Sequence, residues 1–304
     1  MKKSFQKTAT DTLMNGGAHL LLIPLNFISL PILTKNLSIQ EYGIWGLIFT
    51  TCNLMTPLTS LGLGPAMSRF LPGEKNKELI RDGFYSVLFI RLALSILIAV
   101  IFFLYAEPLS FKFFEGRTDV VLLTAFFIIL STWTPIYQRM LRILRKIKMI
   151  TLIRISEGYG MVGLFSVVLF YQKGLMGIIY SALGFQFILT IFYTFYINSF
   201  IKFKLPDFSQ LRKYLRFGLP LLPASLGFWI VNLTDRYIIT YFLGTGSVGA
   251  YSAAYTLGKI PYTFSYLINF IMLVALSKLY DEGKISEVKT HLSYALKYFL
   301  LLSI

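Results

Sequence analysis

Three ionic side chains stand inside apolar runs of this chain: Asp235 and Arg236 in one, Lys259 in the next. A charge at the centre of a bilayer costs roughly 2.5–3.5 kcal/mol on insertion scales, so it persists where it faces a bundle interior or a wet cavity. Their neighbours fall at helical spacing. Ser225, Trp229, Asn232, Arg236 and Thr240 follow intervals of 4, 3, 4 and 4, with Asp235 beside the stripe. Tyr251, Tyr255, Lys259, Tyr262 and Tyr266 follow intervals of 4, 4, 3 and 4. Each set therefore lies on one helical face. Guanidinium and ammonium groups suit phosphate, while tyrosine rings and hydroxyls suit sugar faces. An Asp–Arg pair can also simply lock a helix to its neighbours, and a tyrosine stripe can be a packing surface. The position of Lys259 favours a cavity: it lies ten residues past Gly249, about 15 Å in at 1.5 Å per residue and too deep to snorkel easily.

The elements that must position these groups are membrane helices. The chain is 56% hydrophobic and 14% charged, with mean hydropathy +0.66, against about 25% charged residues in a soluble domain. Apolar runs near the roughly 20 residues that cross a hydrocarbon core recur at 12–34, 42–66, 84–106, 119–141, 151–171, 174–198, 217–242 and 249–276, and a ninth begins near 291. They are continuous rather than alternating in pairs, which excludes a transmembrane barrel reading. The expected class is an all-α polytopic helical bundle. Of the 29 Lys and Arg, 22 fall on the side of the N-terminus, four on the other side and three within spans. The bias places the N-terminus on the cytoplasmic side of the membrane. It also makes the net charge of +15 a topology signal, not a nucleic-acid footprint. No small-residue cleavage site ends the first run, as a signal peptide would require. The single cysteine, Cys52, leaves no internal disulfide, and with two histidines there is no metal-ligand cluster and no cofactor is called for.

Other polar residues follow. Asp11, Asn15, His19 and Asn26 share a face of the first span, read either as a cavity wall or as helix–helix hydrogen bonding. Arg91 lies seven residues past Phe84, about 10 Å deep, within snorkelling reach of the inner surface; substrate contact is the competing role. Arg154 and Glu157, three residues apart, can pair on one helical face. The stretch Gln138–Arg154 interleaves basic and apolar residues like a surface-lying connector. The link 199–216, broken at Pro206, separates an N-terminal lobe of six spans (1–200) from the start of a second lobe (201–304), formed by an amphipathic link, the seventh and eighth spans and part of the ninth. A shift of 206 residues lays 32–45 on 238–251, matching Ile32, Thr34, Leu37 and Gly43 to Ile238, Thr240, Leu243 and Gly249. Six spans separate the copies, so the two lobes are expected to run parallel about an axis along the membrane normal, with the site between them. The last residues stop in mid-hydrophobic run, so the second lobe reads as truncated.

The stretches G-L-P-L-L-P-A-S-L, N-L-T-D-R-Y-I-I-T-Y-F-L-G and V-G-A-Y-S-A-A-Y, with L-P-I-L-T-K-N-L-S-I-Q-E-Y-G-I-W and G-L-G-P-A-M-S-R-F, resemble the Wzx-type polysaccharide and O-antigen repeat-unit flippases of the multidrug/oligosaccharidyl-lipid/polysaccharide exporter superfamily. That resemblance implies a two-lobe exporter-like fold, usually of twelve to fourteen spans. It implies translocation of undecaprenyl-diphosphate-linked glycan across the bacterial inner membrane by alternating access around a cationic cavity, with membrane lipids, protons or sodium as coupling ion, and polymerase or chain-length proteins as partners. Carried onto this chain, the diphosphate role falls to Arg236 and Lys259, with Arg91 behind them. Asp235, Asn232, Tyr251, Tyr255, Tyr262, Asn26 and His19 complete the candidate cavity. A cation-coupled drug antiporter of the same superfamily and a non-transporting remnant stay open. A membrane glycosyltransferase would need a large outer loop or a carboxylate pair, and neither is visible; no enzyme is expected.

Overall fold

The computed structural model describes residues 17, 21–25, 27–74, 76–259, 272, 276, 279 and 283–303. Among them every regular element is helical. In chain order these are α1 (Leu21–Asn36), α2 (Ile39–Ser60), α3 (Leu63–Phe70), α4 (Lys77–Leu104), α5 (Ala106–Phe113), α6 (Thr118–Ser131), α7 (Trp133–Ile143), α8 (Ile147–Phe170), α9 (Gly174–Asn198), α10 (Leu211–Gly218), α11 (Leu222–Gly258) and α12 (Ile285–Ser303). Five helical stretches among the described residues are long and apolar enough to cross a membrane, counting α6 and α7 as one. The chain is an all-α, polytopic membrane protein.

Local chemistry sets the boundaries. Ser38 and Glu41 form a reciprocal capping box that starts α2. That helix ends where Leu61 and Gly62 take positive φ (45° and 69°), so the expected span 42–66 is two helices rather than one. Asn76 caps α4 by accepting from the Glu78 N–H (2.9 Å). The helix therefore begins seven residues before the apolar run does. The bend between α6 and α7 falls at Thr132, just ahead of Pro135, whose missing N–H leaves the Ser131 carbonyl without its helical donor.

α11 contains the reversal expected between two spans. Gly244 has φ 79° and ψ 174°, a conformation that residues with a β-carbon rarely adopt. Asp235 and Tyr251 hydrogen-bond although sixteen residues separate them. A straight helix would hold them about 24 Å apart. The two arms, 222–243 and 245–258, thus lie side by side.

The link after α9 is strapped to one end of α4. Tyr85 donates to Asn198 (2.5 Å), Ser86 to the Asp207 carbonyl (2.6 Å), and Lys204 pairs with Asp82 (3.3 Å). Asp207 then caps the next turn. The Ser209 backbone N–H and hydroxyl both donate to its carboxylate and hold it below the usual carboxylate range.

Buried side chains form two clusters. One, at the end with the basic loops, gathers Leu63, Met67, Phe84, Tyr137, Met140 and Tyr193 from α3, α4, α7 and α9. The other gathers Ile44, Leu47, Val120, Phe165 and Ile178 with Val248 from α11.

The seam between α2 and α11 runs backbone to backbone. A β-carbon on Gly43 would overlap the Thr245 carbonyl, and one on Gly249 would overlap the Ile39 carbonyl. Under the 206-residue shift Gly43 maps to Gly249 and Ile39 to Thr245, so each contact is the symmetry mate of the other. Lower down the seam Trp229 Nε1 donates to the Thr50 carbonyl (3.2 Å), and Tyr237 hydrogen-bonds Thr51. α5 flanks it: Phe113 packs edge-on to Tyr237 (5.2 Å), Lys112 lies over the Tyr241 ring (5.0 Å), and Glu115 accepts from Thr245.

Helix propensity favours alanine over glycine by about 1 kcal/mol, yet overpacking costs about 1–3 kcal/mol. Gly43→Ala and Gly249→Ala should each lower the melting temperature of the purified protein. Gly227→Ala, where nothing lies within 4 Å, should leave it unchanged or raise it.

Candidate functional site

The first arm of α11 presents Arg236 to the interior. Its side chain is 9% exposed, and Nη1 binds the Asp235 carboxylate (3.0 Å) and the Asn232 carbonyl (3.1 Å). Asp235 also accepts from the Tyr251 hydroxyl across the hairpin. That reversal brings Asp235 and Arg236 of the first stretch together with Tyr251, Tyr255 and Lys259 of the second. The Arg236 guanidinium lies 5.7 Å from the Tyr251 ring centre and 4.7 Å from that of Tyr255, and Lys259 Nζ lies 4.5 Å from the Tyr255 ring. Tyr251 and Tyr255 stack at 5.7 Å. Cation–ring contacts are worth about 0.5–1 kcal/mol at exposed sites and about 2 when desolvated. Here they hold two cations beside one ring.

This cluster edges a cavity of about 790 Å³ between α1, α2, α8 and both arms of α11. Arg236, Tyr255 and Lys259 line one side of it, and Tyr42, Trp45 and Phe49 of α2 line another. Asp235 and Tyr251 stand behind Arg236 as its supports. Asn232 uses its amide on the Phe228 carbonyl (2.7 Å) and offers Arg236 its backbone carbonyl. Such a volume suits one small ligand or a head group, with few polar groups in a mostly apolar wall.

The wall also includes Arg154 and Glu157 of α8, a pair that the sequence suggests only as a structural one. Glu157 accepts from Gln138 (3.5 Å), which in turn donates to Tyr193 (3.2 Å). The signal for them is a charged pair opening an otherwise apolar, glycine-rich helix, but helical spacing does not say which neighbour a face meets. Arg91 is placed elsewhere, buried in α4 at 3% exposure and outside the cavity wall. α4 starts at Lys77 and not near Phe84, so Arg91 stands at mid-helix, buried within the bundle. His19, Asn26, Tyr262, Tyr266 and Asn269 lie outside the described residues. A second hollow, about 1270 Å³, lies under α10 with Phe70, Arg212, Lys213 and Arg216 on its rim. It is a broad surface depression rather than an enclosed site.

The chain as a whole is similar to known proteins. The protein family described as "Polysaccharide biosynthesis protein" matches residues 32–302. The succinoglycan biosynthesis transport protein ExoT of Rhizobium meliloti (strain 1021) is 25% identical over 248 residues, 78% of this chain and 47% of ExoT. The chain thus spans about half the length of that curated relative. Among solved structures, the MATE multidrug transporter DinF-BH, solved as a complex, superposes with a TM-score of 0.70 at 15% identity, covering 96% of this chain and 69% of the other. A transporter of the MOP superfamily from Pyrococcus furiosus Vc1 (DSM3638), described as having a binding pocket of reverse polarity, gives 0.58 at 13% identity, covering 95% and 68%. These superpositions establish an exporter-like fold. With the match running from residue 32 to 302, the chain belongs to the Polysaccharide biosynthesis protein family, and it shares the fold of those two solved transporters.

Proposed function

We propose that this chain is the substrate-handling part of a flippase that carries undecaprenyl-diphosphate-linked oligosaccharide from the inner to the outer leaflet of the bacterial inner membrane, for surface polysaccharide. The six helical spans up to Asn198 act as one lobe, and α10 onward begins the second. The single observation that carries this reading is the line Arg236–Tyr255–Lys259 on the cavity wall. It sets two cations and a ring where a diphosphate and its first sugar would sit. Charge-assisted hydrogen bonds to phosphate oxygens are about twice as strong as neutral ones, and tyrosine rings pack against sugar faces without demanding one sequence of sugars. The transport role of ExoT, a succinoglycan biosynthesis transport protein, supports the glycan class.

The cation-antiporter reading has the MATE multidrug neighbours on its side. It needs a carboxylate ready for a cation. Of the described carboxylates near the cavity, Asp235 is already held by Arg236 and Tyr251, and Glu157 on the wall accepts from Gln138 (3.5 Å) with Arg154 one turn away. With Arg236 and Lys259 on the same wall, the balance favours the anionic substrate.

In a strain lacking the transporter, Lys259→Ala should abolish surface polysaccharide while the membrane content of the protein stays unchanged. Lipid-linked oligosaccharide should accumulate on the inner leaflet. Losing one hydrogen bond to a charged group costs about 1.5–3 kcal/mol, so Lys259→Arg, which keeps the charge, should retain part of the activity. Normal polymer from Lys259→Ala would reject the assignment. Asp235→Asn should act differently. It leaves Arg236 without its counter-charge, and its main effect should be a reduced amount of folded protein, read by immunoblot and melting temperature.

A further inference from the structure

The hollow under α10 is carried on a fixed frame. One face of α10 is clamped to α3 and α4. Its last residue, Gly218, meets Gly62 backbone to backbone, and a β-carbon on either would overlap the carbonyl of the other. Tyr214 is buried and stacks on Phe70 of α3 (ring centres 5.7 Å). The Tyr214 hydroxyl lies 2.6 Å from where a β-carbon on Gly83 of α4 would stand. Phe217 meets the same Phe70 edge-on (5.5 Å). At the other end, Asp207 caps the turn Phe208–Gln210 that leads into the helix.

The opposite face carries Arg212, Lys213 and Arg216, all exposed. With 3.6 residues per turn, the three span an arc of about 100°. None of the ion pairs among the described residues includes them. Lys213 lies with Nζ over the Phe70 ring (4.4 Å), which sets its charge at the rim. All three cations line the hollow of about 1270 Å³, and most of the remaining lining is apolar, with Phe208, Leu215 and Phe217 beside them.

Depth and composition point to one occupant. Phe217, Leu219 and Leu221 are exposed and lead straight into the membrane arm of α11. Arg216 and Arg212 precede Phe217 by one and five residues, so they stand at most about 8 Å from the start of that apolar surface. The head-group layer on each side of the hydrocarbon core is about 5–7 Å thick. A soluble acidic partner would match the charge and leave the rings and leucines bare. A phospholipid answers both, because its phosphate forms charge-assisted hydrogen bonds with the cations and its chains cover the apolar lining. We propose that the hollow under α10 binds an anionic phospholipid of the leaflet at the basic end, with its phosphate on Arg212, Lys213 and Arg216 and its chains along Phe208, Leu215 and Phe217.

The test titrates the purified chain, in neutral detergent, with phosphatidylglycerol or phosphatidylcholine and follows the melting temperature, which rises as a ligand fills a site on the folded state alone. Phosphatidylglycerol should give a saturable rise and phosphatidylcholine none. Each cation near a membrane surface strengthens binding of anionic lipid about fivefold. The combined Arg212→Gln, Lys213→Gln and Arg216→Gln variant should therefore need at least tenfold more phosphatidylglycerol for half the rise. If that variant does not fold, Arg216→Gln alone should need about fivefold more. A control with the same loss of charge in another exposed basic turn, Arg142→Gln, Arg145→Gln and Lys148→Gln, should respond as the wild type does. Lys259→Ala should also keep the full response, which separates this site from the cavity. Equal responses to the two lipids, equal losses in the two triple variants, or the same rise with sodium phosphate at constant ionic strength would overturn the proposal.

Discussion

The bundle depends on one close approach. α2 and the second arm of α11 meet at Gly43 and Gly249, where each backbone occupies the space a β-carbon would need. In a membrane, helices gain little from apolar side chains alone, since lipid is equally apolar, and small residues let backbones gain contact instead. From that seam the rest follows. The approach fixes α11 against α2, allowing Trp229 and Tyr237 to reach the carbonyl and hydroxyl of Thr50 and Thr51. It also turns the Arg236 face toward the cavity rather than lipid. The same shift that relates the glycines relates the carbonyls they touch, so a sequence repeat meets its own copy across the interface.

The second constraint is electrostatic. Charges inside an apolar bundle have to be paired, hydrogen-bonded or held against rings, because their desolvation is otherwise uncompensated. Arg236 meets this demand through Asp235, the Asn232 carbonyl and two tyrosine rings. Such an arrangement keeps a cation in place without sealing its outer edge, and that edge is on the cavity wall. Lys259 reaches the same ring from the other arm. The phosphate proposed as its ligand would meet that edge while the supports of Arg236 stay intact.

Much of this was legible in the residues. Apolar runs marked where most of the long described helices lie, and intervals of three and four placed Arg236, Tyr251, Tyr255 and Lys259 on the faces that now meet. The glycine-rich turn gave the hairpin. Other features were not legible, for identifiable reasons. The start of α4 depended on the Asn76 cap, which begins the helix in polar sequence before its apolar run. The break at Leu61 and Gly62 depended on left-handed backbone inside an apolar stretch. The cavity side of Arg154 and Glu157 depended on which helix stands opposite α8, and no local pattern encodes that. The repeat suggested that Gly43 and Gly249 correspond; it did not say that they touch.

For the cavity to work as a transport site, water has to reach the Arg236–Lys259 edge of the bundle while the outward face of the arm that carries Arg236 lies in lipid. With Cys52 replaced by alanine, single cysteines at Lys259 and at Val231, the latter 83% exposed on the apolar surface, can be challenged with a membrane-impermeant charged thiol reagent in oriented vesicles. The structure predicts modification of Lys259→Cys at least tenfold faster than that of Val231→Cys. Equal rates, or a Lys259→Cys variant inert from both sides of the membrane, would contradict it.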